Sequence, residues 1–101
     1  MDRAEIPAGE SLRVSGYFDP LTAGHARRLE ALRPKNGACL VVVIAEPVRP
    51  VLPARARAEL VAALGCVDYV VIAGEADVHL ESEHAALYEE LVRHAARRQQ
   101  A

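Results

Sequence analysis

Aromatic side chains are nearly missing from this chain: it has no tryptophan, one phenylalanine and three tyrosines, 4% of its residues. A core must therefore be assembled from Val, Leu, Ile and Ala. No platform of aromatic and basic residues is available for stacking nucleic-acid bases. An excess of positive charge is lacking too: the net charge is −2, with lysine present only at Lys35. Electrostatic capture of a nucleic acid is not expected of such a chain. Only two cysteines occur, Cys39 and Cys66, and each opens an apolar run. They are read as buried, reduced thiols rather than a disulfide. Long hydrophobic runs are also absent. The longest, Ala38 to Ala45, is far short of the roughly 20 residues that cross a bilayer. The N-terminus shows no charged region followed by an apolar one, so neither a signal peptide nor a membrane partner is expected, and the expected compartment is the cytoplasm.

Apolar residues make up 51% of the 101-residue chain, enough for a core. One domain is expected over residues 12–101, after a polar leader at 1–11 that contains Pro7 and Gly9. Three apolar runs, Leu12–Phe18, Cys39–Ala45 and Val67–Ala73, are continuous rather than alternating. That is the pattern of parallel strands covered on both faces. Between them the spacing predicts a helix over Ala23–Leu32 and another from Pro53 to Leu64, closed by Gly65. A third helix is predicted over about 82–98, with Ser82 as N-cap and Leu87, Leu91 and Ala95 on one face. Arg93, Arg97 and Arg98 near its end are read as complementing the helix dipole. The order β-α-β-α-β-α implies right-handed crossovers and a Rossmann-like, three-layer α/β fold with a short parallel sheet.

Chemistry concentrates in one segment, Val14 to Leu29. A strand ends at Phe18, Asp19-Pro20 turns the chain, and Gly24-His25 opens a helix. The unpaired N–H groups and dipole of a helix N-terminus attract anions. His25 can add hydrogen bonds there, and a charge if protonated. Gly24 permits close approach, Thr22 offers a hydroxyl, and the backbone N–H groups of Tyr17 and Phe18 point where a phosphate can meet them. Asp19 has two readings, turn initiator and ligand contact.

The run Gly16-Tyr17-Phe18-Asp19-Pro20-Leu21-Thr22-Ala23-Gly24-His25 resembles the (T/H)xGH signature of the cytidylyltransferase-like nucleotidyltransferases. A second stretch, Arg49-Pro50-Val51-Leu52-Pro53-Ala54-Arg55-Ala56-Arg57, is similar to that family's RPVxPxxxR run, which puts Arg57 at its helix arginine. The bland alternative there is a solvated helix face with Arg55 paired to Glu59. The resemblance implies transfer of CMP or AMP from CTP or ATP to a phosphorylated small molecule, with release of pyrophosphate. It implies that His25 and Thr22 are catalytic and that Gly16, Tyr17, Phe18, Asp19, Gly24 and Arg57 hold the nucleotide. It further implies Mg²⁺ carried by the nucleotide rather than by protein ligands; the remaining histidines, His79, His84 and His94, are not spaced for a metal site.

The departures from the family are as telling. The loop after the second strand carries Glu46 where relatives have a lysine for the triphosphate, and Lys35 lies in the wrong loop. The fourth and fifth strands and the late Ser/Thr-rich helix start have no evident counterpart after Ala73, so the resemblance covers about residues 12–73. Without a fourth strand, Leu12–Phe18 is expected to be an open edge, covered by a second copy, a partner chain or the third helix. The alternative function is a catalytically degenerate nucleotide-binding or protein-interaction module that keeps the fold.

Overall fold

The computed structural model describes residues 10–85. The predicted leader and most of the third helix lie outside them. The elements are β1 (Ser11–Gly16), α1 (Ala23–Leu32), β2 (Cys39–Ile44), α2 (Ala54–Ala62), β3 (Tyr69–Ile72) and β4 (Val78–His79). Residues 81–85 are helical, starting one residue before the expected cap Ser82, with the His84 N–H already bonded to the Leu80 carbonyl at 3.0 Å.

The strands form one parallel sheet in the order β3-β2-β1-β4, a small Rossmann-like α/β arrangement. Both faces bury side chains, which is why the apolar runs are unbroken. Val14, Leu40, Val42, Ile44 and Val70 share one cluster with Leu29 of α1 and Val61 of α2. The alternate residues Val41, Val43 and Val71 pack with Tyr69 and Ala76 in a second cluster. Each fully buried Val or Leu of this kind contributes roughly 1.5–3 kcal/mol. Among the described residues no helix is long and apolar enough to cross a membrane.

The open β1 edge is overturned. β4 pairs in parallel with β1, Val14 opposite Val78 and Ser15 opposite His79, so the chain covers that edge itself and a second chain is not needed for it. The strand is only two residues long, too short to register as an apolar run. It is fastened by the Asp77 N–H to the Arg13 carbonyl (2.8 Å) and the Leu80 N–H to the Ser15 carbonyl (2.8 Å). In return the Arg13 N–H donates to the Asp77 carboxylate at 3.0 Å.

The connection from β3 to β4, residues 73–77, is equally compressed. Parallel strands usually need a crossover of a dozen or more residues. Here Ala73 (φ 65) and Gly74 (φ 142) turn the chain through left-handed backbone, and Ala76 lies on the second cluster. Strands lie about 4.8 Å apart, so the path from β3 to β4 is roughly 14 Å, within reach of five extended residues. The result delivers the turn after β4 directly to the C-terminal end of β1.

Candidate functional site

In an open parallel sheet, ligands bind beyond the carboxyl ends of the strands, where strand order reverses. In this sheet the order reverses between β1 and β4, and Gly16, Tyr17, Phe18, Thr22 and His25 lie at or just after the end of β1.

Thr22 is the N-cap of α1. Its Oγ1 accepts from the His25 N–H at 3.2 Å, while the Thr22 N–H donates to His25 Nδ1 at 3.1 Å. This reciprocal capping box satisfies two of the donors that a helix start leaves open. It also fixes the tautomer: a neutral imidazole that accepts at Nδ1 carries its proton at Nε2. His25 Nε2 is buried and finds no hydrogen-bond partner among the described residues. A buried donor left unpaired costs about 1–3 kcal/mol, and native structures hold few of them. Burial pushes the His25 pKa below its ordinary 6.5. His25 thus presents a neutral Nε2–H donor toward the helix mouth, and the charged form is disfavoured.

The end of β1 adds a second set of donors. Phe18 adopts a left-handed backbone, φ 47, rare and strained for a residue with a side chain. This conformation turns the N–H groups of Tyr17 and Phe18 toward one point. The expectation that they face a phosphate position meets an occupant there: both donate to His84 Nδ1, at 3.0 and 3.3 Å. Phe18 itself is fully buried, its ring edge-on to His84 (4.5 Å between centroids) and to His25 (5.7 Å). The two imidazoles stand 4.1 Å apart. Burial, then the proximity of His25, lowers the His84 pKa to about 4. Both rings are thus neutral at pH 7. A cleft of about 300 Å³ opens beside them, lined by Gly24, His25, Arg28, Glu83 and His84. Arg28 and Glu83 pair across it at 3.6 Å.

Gly16 and Gly24 differ in what they permit. A Cβ on Gly16 would collide with the His84 ring and come within 2.8 Å of Phe18. On Gly24 it would meet only Thr22 Oγ1, at 3.6 Å. Gly16 makes room for His84, whereas Gly24 leaves the helix mouth open.

Two expected ligand contacts are engaged inside the protein instead. Both carboxylate oxygens of Asp19 accept backbone N–H groups, from Val51 (2.6 Å) and Leu52 (2.7 Å), tying the turn after β1 to the loop before α2. Arg57 is fully buried. Its guanidinium donates to the carbonyls of Leu52 (3.0 Å), Tyr17 (3.2 Å) and Ala45 (2.8 Å) and to the Glu46 carboxylate (3.0 Å). With four of its five N–H donors engaged inside the protein, Arg57 fastens the loops after β1 and β2. Glu46 is its partner. Arg55 makes the expected exposed pair with Glu59 at 3.4 Å. His79 Nδ1 lies 2.9 Å from the Ser15 hydroxyl. Among the described residues no group of three His, Cys, Asp or Glu side chains could hold a metal. Sequence reasoning missed His84 as a member of the site; the one signal for it was Gly16, a glycine ending a buried strand.

A family model described as cytidylyltransferase-like matches residues 14–98. The chain belongs to the cytidylyltransferase-like family. The match extends past Ala73, where the resemblance had been expected to stop, and takes in β4 and the helical residues after it. This cytidylyltransferase-like chain therefore keeps a reduced fourth strand rather than none. A search of curated proteins found no match.

Proposed function

We propose that this cytidylyltransferase-like domain binds a nucleoside triphosphate, CTP or ATP, by its phosphates at the mouth of α1. Its reaction is transfer of the CMP or AMP moiety to a phosphorylated small molecule. One observation carries the reading: the buried, unpartnered Nε2–H of His25, held in a single tautomer by the Thr22 capping box. A phosphate oxygen is the acceptor that such a donor lacks, at a helix terminus whose dipole favours negative charge.

In the transfer, an oxygen of the acceptor's phosphate attacks the α-phosphorus, and the bond to the β-phosphate oxygen breaks to release pyrophosphate. The protein has little covalent work in such a step; it positions the phosphates and stabilises charge developing on their oxygens. A neutral His25 does this through its Nε2–H, without moving a proton. The Thr22 hydroxyl, which accepts from His25 through its oxygen, keeps its own hydrogen for a phosphate oxygen. Gly24 lets that phosphate reach the first turn. Mg²⁺ enters as the nucleotide's counter-ion.

A second reading, a nucleotide-binding module without turnover, is favoured by a separate observation: His84 holds the Tyr17 and Phe18 N–H groups, and Glu83 faces the cleft. Calorimetric titration with Mg-CTP and Mg-ATP tests binding, and pyrophosphate release separates the two readings. Binding is expected in the wild type and lost in His25→Ala. Equal binding in both proteins would overturn the assignment of the phosphate site.

A further inference from the structure

Two consecutive backbone N–H groups aimed at one point form a concavity of the kind that holds anionic oxygens. At the end of β1 that concavity exists at the expense of a left-handed Phe18. Its occupant belongs to the chain itself, 67 residues away from Tyr17.

We infer that His84 is an internal ligand that keeps the Tyr17–Phe18 amide cradle closed, and that a phosphate enters it only by displacing the His84 ring. The inference rests on the phosphate site proposed above and concerns access to it.

Three features support it. The fit is specific, because Nδ1 serves both N–H groups and the ring occupies the space that the missing Gly16 side chain leaves. The ring also stands against His25, 4.1 Å between centroids, beside the unpartnered Nε2–H that the phosphate would need. Lastly, the ion pair beside the ring, Arg28 with Glu83, is half exposed on both sides and opposes withdrawal by only about 0–1 kcal/mol.

The exchange is favourable in kind. A neutral imidazole nitrogen gives way to an anionic oxygen, whose hydrogen bonds to N–H groups are shorter and roughly twice as strong. Withdrawal of the turn also separates Glu83 from Arg28, removing a negative charge from the mouth and freeing a guanidinium for the phosphate.

The test uses the full chain with inorganic pyrophosphate as probe, followed by calorimetry and by NMR of the Tyr17 and Phe18 amides and the His84 ring nitrogens. His84→Ala, which removes the occupant, is expected to bind pyrophosphate at least tenfold more tightly than the wild type, with both amides shifting. His84→Asn places an amide oxygen close to where Nδ1 stood and is expected to behave like the wild type. A folded His84→Ala that binds no more tightly would overturn the inference. Should His84→Ala fail to fold, the wild type decides: saturating pyrophosphate is expected to release His84 Nδ1 from its two donors. A ring that stays in place, whether pyrophosphate binds elsewhere or not at all, sinks the idea. The two proposals also fail separately. Nucleotide binding that needs His25 but leaves His84 unmoved would keep the function and discard the gate. Pyrophosphate capture by His84→Ala in a protein that ignores nucleotides would do the opposite.

Discussion

Replacing Arg57 with methionine separates two roles for one residue. Methionine keeps an unbranched apolar stem and removes the guanidinium. The carbonyls of Leu52, Tyr17 and Ala45 then lose their donor, and each buried acceptor left unpaired costs about 1–3 kcal/mol. Water reaching the partly buried loops recovers some of this, so a loss of about 3–5 kcal/mol is expected from the three carbonyls together. Small domains have about 5–15 kcal/mol in total. With a urea m-value of about 1.5 kcal/mol/M, the unfolding midpoint falls by about 2–3 M. Arg57→Lys keeps the charge but not the fork and is expected to fall nearly as far. Glu46→Gln should cost less than Arg57→Met, because the amide oxygen can still accept from the guanidinium and the Glu46 side chain is 61% exposed. A midpoint for Arg57→Met within about 0.5 M of the wild type would refute the reasoning. Arg57 would then have to be free for the phosphate contact read from its sequence position.

Acid should weaken the fold through the two buried histidines. Burial holds His25 below its ordinary value of 6.5 and His84 at about 4, so on the way down from pH 6.5 the unfolded chain takes up protons that the folded one refuses. Stability is complete above pH 6.5 and declines as pH falls, by up to about 1.4 kcal/mol per pH unit for one such group. Urea titrations of His84→Asn should show a flatter slope, and an unchanged slope would exclude His84 as the source. Gly24→Ala is expected to leave stability unchanged or raise it by up to about 1 kcal/mol, since alanine suits a helix and meets only Thr22 Oγ1 at 3.6 Å. The same methyl group narrows the helix mouth, so Mg-CTP affinity measured by calorimetry should drop about tenfold; undiminished affinity would place the phosphates elsewhere.

The elements readable from the sequence were those whose signal is local. β1, β2 and β3 announce themselves as continuous apolar runs because the sheet is buried on both faces. The bounds of α1 follow from Thr22, whose cap is made with a residue three positions away. What stayed hidden depends on distant partners. β4 has two residues and is defined by hydrogen bonds to Arg13 and Ser15, so no window of sequence contains its reason to exist. His84, alone among acidic and small residues, reads as a solvated helix position until the compressed 73–77 connection sets it against Gly16. Arg57 was visible as an arginine in a family pattern, but three of its four acceptors are backbone carbonyls, which every residue possesses.

The reduced fourth strand has a consequence for synthesis. Ser15 and His79, which face each other across β1 and β4, are 64 positions apart. Translation at about 5–20 residues per second leaves roughly 3–13 s between their appearances. During that interval the nascent chain can assemble β1, β2 and β3 with α1 and α2, while the flank of β1 that β4 later closes stays bare. Unpaired strand flanks invite joining to other chains, so ribosomes carrying a chain cut short before Asp77 would expose a sticky, nearly finished sheet. The codons for Val78 and His79 thus encode the piece that closes the flank of the sheet built before them.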